Sequence, residues 1–119
     1  MPPFAAPSLG KEEFAHRDIG LWECDLSDET LTWSGAVYDI FGLPRASRVR
    51  REDAVALYCE GSRAAMERLR AHAIKHRRGF TLDVEIRPAL VRRQWIRLIA
   101  APICEHGRVV RLHGLKMII

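Results

Sequence analysis

The sequence has no apolar run approaching the roughly 18 residues needed to cross a bilayer as a helix. Its opening, "MPPFAAPSLG", carries neither a basic start nor the apolar stretch of roughly 7–15 residues that marks a secretory signal. A cytoplasmic location without membrane attachment is therefore expected. Cysteine is scarce: Cys24, Cys59 and Cys104 are odd in number, far apart and in no Cys-x-x-Cys pair. That argues against a disulfide framework and a thiolate zinc centre, so buried free thiols and no metal are expected. A glycine-rich phosphate loop, Gly-x-Ser-x-Gly and His-Glu-x-x-His are all missing, and no catalytic residue is expected. Nor is charge of one sign gathered into a block. The net charge of +4 is spread over "PRASRVRRED", "KHRRG" and "VRRQWIR", and "RVRRED" has no stacking aromatic beside it. A solvated basic surface is expected rather than a nucleic-acid footprint.

What is present is an ordinary globular mixture, 48% apolar and 29% charged. A chain of 119 residues has room for one domain, burying roughly two-thirds of its unfolded surface. Residues 1–17 read as a flexible, proline-rich leader followed by a short helix over about 9–16, with Ser8 as its N-cap. Residues 18–119 read as the domain. "IGLWECDL" alternates Leu21, Glu23 and Asp25 against Trp22, Cys24 and Leu26, the period of a half-buried strand. "SDE" turns the chain, and "TLTW" is the partner strand of a hairpin.

Ser34 is expected to cap a brief helix, "GAVYDIF", whose Val37, Ile40 and Phe41 share a face and which Gly42 and Pro44 stop. "REDAVALY" is a second short helix. "SRAAMERLRAHAIKHRRG" is the longest, with Met66, Leu69 and Ala73 on one face, cations in its last turn and a glycine to end it. Three strands follow: "FTLDVEIRP", "RQWIRLIAAPIC" and, after the turn "EHG", "RVVRLHGLKMII". The order β-β-α-α-α-β-β-β predicts an α+β domain, a five-stranded antiparallel sheet with the helices between strands 2 and 3 packed on one face.

The stretch "GLWECDLSDETLTWSGAVYDIFGLP" resembles the opening of PAS domains of the subclass with a Gly-x-Trp-x-x-Asp-Leu strand and a Trp-Ser step into helix. The matching residues are Gly20, Trp22, Asp25, Leu26, Trp33, Ser34, Tyr38, Phe41 and Gly42. "CEHGRVVRLHG" is similar to the family's closing hairpin, with Gly107, Arg108, Arg111 and Gly114 in place, and "FTLDVEIR" and "QWIRLIAAPI" resemble its central strands. The resemblance covers about residues 18–119. It departs from the family's pattern at "CEGSR", where only Arg63 of the usual helix-entrance motif stands, at the loop "ALVRR", and at the closing "MII". The resemblance implies a non-catalytic sensory module of a bacterial signalling protein. Its implied output is a histidine kinase, a diguanylate cyclase or a LuxR-type transcription regulator, fused or separate.

The candidate pocket residues are Tyr38, Ile40, Phe41, Leu57, Arg63, Met66, Leu69, Leu82, Val84, Ile96, Leu98 and Leu112, with Leu21 or Trp22, Val37 and Phe80 beside them. Most are core by period, and Tyr38 or Arg63 would offer a polar contact to a small, flat, apolar or aromatic ligand. No cofactor is expected. His72 and His76 stand one turn apart on the long helix, but a wheel count turns both away from the apolar face, so neither is expected to ligate haem. Flavin is not expected, since the reactive-cysteine motif of light-sensing relatives is missing. Asp83 and Glu85 share a strand face with Thr81 and Arg87 and read as solvated. On the outer sheet face Trp95, Ile99 and Ala101 are left uncovered, and either the N-terminal helix, through Leu9 and Phe14, or a second copy of the domain would cover them. In PAS proteins this face commonly dimerises, so a homodimer is expected. A pure dimerisation module and a small cone-shaped isomerase are the alternative readings.

Overall fold

A computed structural model describes residues 19–89 and 91–119. The leader and helix expected before residue 18, with Leu9 and Phe14, lie outside the described residues. The elements are β1 (Ile19–Asp25), β2 (Thr30–Trp33), α1 (Gly35–Phe41), α2 (Arg51–Val55), α3 (Glu60–His76), β3 (Phe80–Ile86), β4 (Gln94–Glu105) and β5 (Arg108–Ile118). All strand pairs are antiparallel, in the order β2-β1-β5-β4-β3. Both the α+β class and the insertion of the helices between strands 2 and 3 agree with the sequence reading. β1 and β5, far apart in sequence, are central neighbours.

Local chemistry sets the boundaries. The Asp25 carboxylate accepts from the Ser27 N–H at 2.9 Å and the Ser27 hydroxyl at 2.7 Å, and Asp28 accepts from the Thr30 N–H at 2.9 Å. These side-chain turns reverse the chain between β1 and β2. Ser34 precedes α1 as expected, but its hydroxyl makes no cap. It accepts the Leu21 N–H at 2.9 Å instead, tying the helix start to β1. Gly20 permits the close approach of α1, because a Cβ there would lie 2.4 Å from Val37 Cγ2.

The expected glycine stop of α3 needs correction. Arg77, not Gly79, takes the left-handed position after His76, at φ 57°. Its guanidinium donates to the Gly107 carbonyl at 3.0 Å, a tie to the β4–β5 turn that helps hold this uncommon conformation.

The helices cover one sheet face. Phe41, Ile86, Ile96, Leu112, Val37 and Val84 are the largest side chains fully enclosed between the layers. Trp33 stacks on Phe41 with centroids 5.1 Å apart, and Tyr58 tilts against Phe41 at 5.9 Å. Fully burying one such side chain contributes roughly 1.5–3 kcal/mol, so this aromatic cluster is a major part of the core.

Candidate functional site

Period two fixes which residues of each strand look inward. Leu98 pairs with Lys116, Ala100 with Gly114, and Trp22 also with Gly114. Trp22 and Cys24 on β1, Leu98 on β4, and Leu112, Gly114 and Lys116 on β5 therefore share the helix-facing side. Gly114 is the gap in this row. The Ile99 carbonyl oxygen leans into the space, 1.8 Å from where a Cβ would stand. Across the same gap the Trp22 indole N–H donates to the Ile99 and Leu115 carbonyls, each at 3.3 Å.

Beside Trp22, between the sheet and α2 and α3, is a cavity of about 50 Å³. Its walls are mainly apolar, from Leu31, Ala54, Val55, Met66, Phe80, Leu98 and Leu112, with Tyr58 and the Cys24 thiol at its edge. Burial, and secondarily the nearby Glu29 carboxylate, pushes that thiol up from its ordinary value, so Cys24 is a neutral wall residue.

Three cations reach the cavity: Arg51 of α2, Arg70 of α3 and Lys116 of β5. The arginines have partners. Arg70 donates to both Glu29 oxygens, at 2.9 and 3.1 Å, while Arg51 stands 3.5 Å from Glu29 and is hydrogen-bonded to Glu67. This network joins the β1–β2 turn to α2 and α3.

Lys116 is different. It is 7% exposed, and among the described residues its ammonium has no carboxylate partner and no hydrogen-bond acceptor. Around it stand the rings of Phe41 at 4.9 Å, Trp22 at 5.4 Å, Trp33 at 5.6 Å and Tyr58 at 5.6 Å from nitrogen to centroid. At roughly 0.5–2 kcal/mol per contact, the four rings stabilise the cation at the end of this largely buried side chain. Ring faces do not saturate its three N–H donors.

The structure distributes the pocket candidates unevenly. Met66, Leu98 and Leu112, with Trp22 and Phe80, line the cavity. Ile40, Phe41, Val84 and Ile96, with Val37, fill the core, and Leu57 and Leu82 pack against it. Leu69 is half-buried on α3. Tyr38 donates its hydroxyl to the Ser47 carbonyl at 2.8 Å, and Arg63 donates one guanidinium N–H to the Tyr58 carbonyl at 3.0 Å while its buried Nε has no partner among the described residues; neither side chain lines the cavity. Of the Leu21 and Trp22 alternatives, Trp22 points inward. Lys116, Arg51, Arg70, Tyr58 and Cys24 were not among the expected pocket residues. Lys116 had a signal, since extending the inward phase of Leu112 by two steps reaches it.

The outer face carries Leu21, Leu115 and Ile99 in one row across β1, β5 and β4, with Trp95 further along β4 and Ala101 beyond Ile99. Trp95 is 49% and Leu21 47% exposed. His72 and His76 are exposed on α3, with rings 4.4 Å apart and away from the cavity. Asp83 is exposed and paired with Arg97 at 2.8 Å. Among the described residues no cluster of three His, Cys, Asp or Glu side chains is placed to hold a metal, and no helix is long and apolar enough to cross a membrane.

No protein-family model matches the chain, and no curated protein matches it in sequence. Solved structures do. The N-terminal domain of a diguanylate cyclase with a PAS/PAC sensor from Marinobacter aquaeolei superposes with a TM-score of 0.76 at 14% identity, covering 84% of this chain and 94% of that one. A sensory box histidine kinase/response regulator from Burkholderia thailandensis gives 0.76 at 15% identity over 92% and 82%. A blue-light activated histidine kinase from Erythrobacter litoralis gives 0.71 at 24% identity over 92% of this chain and 35% of that one. The chain likewise spans only 29% of a matching RNA-binding Light-Oxygen-Voltage receptor. Strand order, helix insertion and these superpositions agree: the described residues have the fold of a PAS domain.

Proposed function

We infer that the chain is a non-catalytic sensory module, which takes a small molecule in the cavity between sheet and helices and passes its state to an output domain. The observation that carries this reading is the cavity itself. Residues of all five strands line its sheet side, and on β5 stands the Lys116 ammonium, which has no carboxylate partner among the described residues. The similar structures from a diguanylate cyclase and a histidine kinase support a kinase or cyclase as output, in the same chain or a partner. A ligand acts here only through a difference in affinity between two packings of sheet and helices, and a coupling of roughly 1–3 kcal/mol is sufficient for a severalfold change in output.

The cavity size also bears on cofactors. Sites for drug-sized ligands span roughly 300–1,000 Å³. A space of about 50 Å³ does not admit a haem or a three-ring flavin without rearrangement of the core. The exposed His72–His76 pair gives no axial ligand directed at it. A second reading, dimerisation through the outer sheet face, is favoured by the apolar row Leu21–Leu115–Ile99 with the exposed Trp95.

Native mass spectrometry of the purified protein, with an ultraviolet–visible spectrum of the same sample, tests both readings. A retained small molecule is the expected result. A bare mass, with a melting temperature that no small organic molecule in a broad panel shifts, overturns the ligand-sensing reading. A monomer at high micromolar concentration in sedimentation overturns the dimer.

A further inference from the structure

We propose that the cavity ligand is a short-chain monocarboxylate whose oxygens pair with the Lys116 ammonium. This inference rests on the ligand-sensing reading and adds the chemical class. Three cations and two carboxylates meet around the cavity. Glu29 and Glu67 are already engaged with Arg51 and Arg70 near the surface, so among the described residues one positive charge at the cavity is uncompensated, and it is the innermost one. Its aromatic surroundings stabilise the cation but accept none of its conventional N–H bonds. A carboxylate supplies both the charge and the acceptors.

Size and lining set the rest of the molecule. At about 50 Å³ the cavity has roughly a third of the roughly 150 Å³ that accommodates benzene in an engineered apolar cavity. A tail of a few carbon atoms fits, and an aromatic ring does not. Phe80, Leu98 and Leu112 offer that tail an apolar wall. A dicarboxylate is disfavoured, because its second charge meets this wall or the occupied Glu29–Arg70 network. An amine is excluded by the lysine itself.

The test is a ¹⁵N NMR titration of the full chain at constant ionic strength with sodium propionate, sodium butyrate, propionamide and n-propylammonium chloride. Saturable shifts are expected for the two carboxylates at the Gly114, Leu115 and Lys116 amides and the Trp22 indole N–H. Propionamide should bind at least tenfold more weakly and propylammonium not at all. Lys116→Met, which keeps the stem and removes the charge, should abolish the saturable shifts with the spectrum still dispersed. If that variant does not fold, the carboxylate-to-amide ratio in the unaltered protein decides by itself.

Equal affinity for propionate and propionamide overturns the carboxylate assignment and leaves the sensing reading standing. Carboxylate shifts that are confined to surface arginines and unchanged by Lys116→Met overturn it in the same way. If no probe of any charge gives a saturable shift, the carboxylate inference fails. The sensing reading then stands or falls on the mass measurement above.

Discussion

Replacing Gly114 by alanine adds one methyl group where the fold has placed a backbone oxygen. The new Cβ would lie 1.8 Å from the Ile99 carbonyl oxygen, 2.8 Å from its carbon and 3.2 Å from Ala100 Cα, and real Cβ contacts essentially never fall below 3.0 Å. The neighbours are main chain, so no side-chain rotation relieves the contact. Relief requires β4 and β5 to part by about 1.2 Å, which stretches a ladder bond of about 2.9 Å past the hydrogen-bonding limit. Two ladder bonds at about 1 kcal/mol each, with the strain of overpacking at roughly 1–3 kcal/mol, give an expected loss of about 3–5 kcal/mol. The Trp22 indole N–H also loses its two carbonyl acceptors, which pushes toward the upper figure. At about 4 °C per kcal/mol for a domain of this size, the melting temperature should fall by about 12–20 °C. Urea unfolding followed by tryptophan fluorescence measures the loss, and the emission of the folded variant reports whether Trp22 has become wetter. A loss under about 1 kcal/mol with unchanged emission would refute the close approach of Ile99 over Gly114.

Phe41→Ala should cost about 4–5 kcal/mol, the upper part of the range for such truncations, because Phe41 is fully enclosed and contacts Trp33, Tyr58 and Lys116 at once. Denaturant titration checks it, and a cost below about 2 kcal/mol would mean the aromatic cluster closes around the gap. Asp83 is held below its ordinary value of 3.8 chiefly by the hydrogen bond from Arg97, so it favours folding above that value and loses the contribution as pH falls through its lower folded value. The stability difference between the protein and Asp83→Asn should therefore be constant above about pH 5 and vanish in strong acid, read from denaturation at a series of pH values. Cys104 is exposed and Cys24 buried with a raised thiol, so an aromatic disulfide reagent at about pH 8 should label Cys104 promptly and Cys24 only on unfolding. Prompt labelling of Cys24 in the folded protein would contradict the closed cavity wall.

The parts of the fold that are periodic were open to reading from sequence. The unbroken alternation of Phe80, Leu82, Val84 and Ile86 against Thr81, Asp83 and Glu85 leaves one solution for a strand covered on one side. Helix ends were less legible. Gly79 looks like the stop of α3, but Arg77 takes the left-handed turn two residues earlier, helped by a partner thirty residues away that no local pattern reveals. The site follows the same division. The inward place of Lys116 was implicit in the phase of β5, whereas Arg51 and Arg70 come from separate helices and meet only because Glu29, on a hairpin turn, lies within reach of both. Tyr38 and Arg63 had the right chemistry for a ligand contact, yet neither lines the cavity, and nearby carbonyls take the Tyr38 hydroxyl and one Arg63 N–H.

The pairing of β1 with β5 has a bearing on how the chain is made. Ile19 lies opposite Met117 and Asp25 opposite Arg111, so the middle of the sheet joins residues separated by most of the sequence. A ribosome delivers residues 19–107 before the strand that sits between β1 and β4. Until Arg108–Ile118 has emerged, the β1–β2 hairpin with α1 and the β3–β4 pair with α3 are two fragments with a missing seam, each presenting half of an apolar face. Folding of such non-local sheets is slow relative to helical domains, and the exposed halves are what a nascent-chain chaperone would recognise.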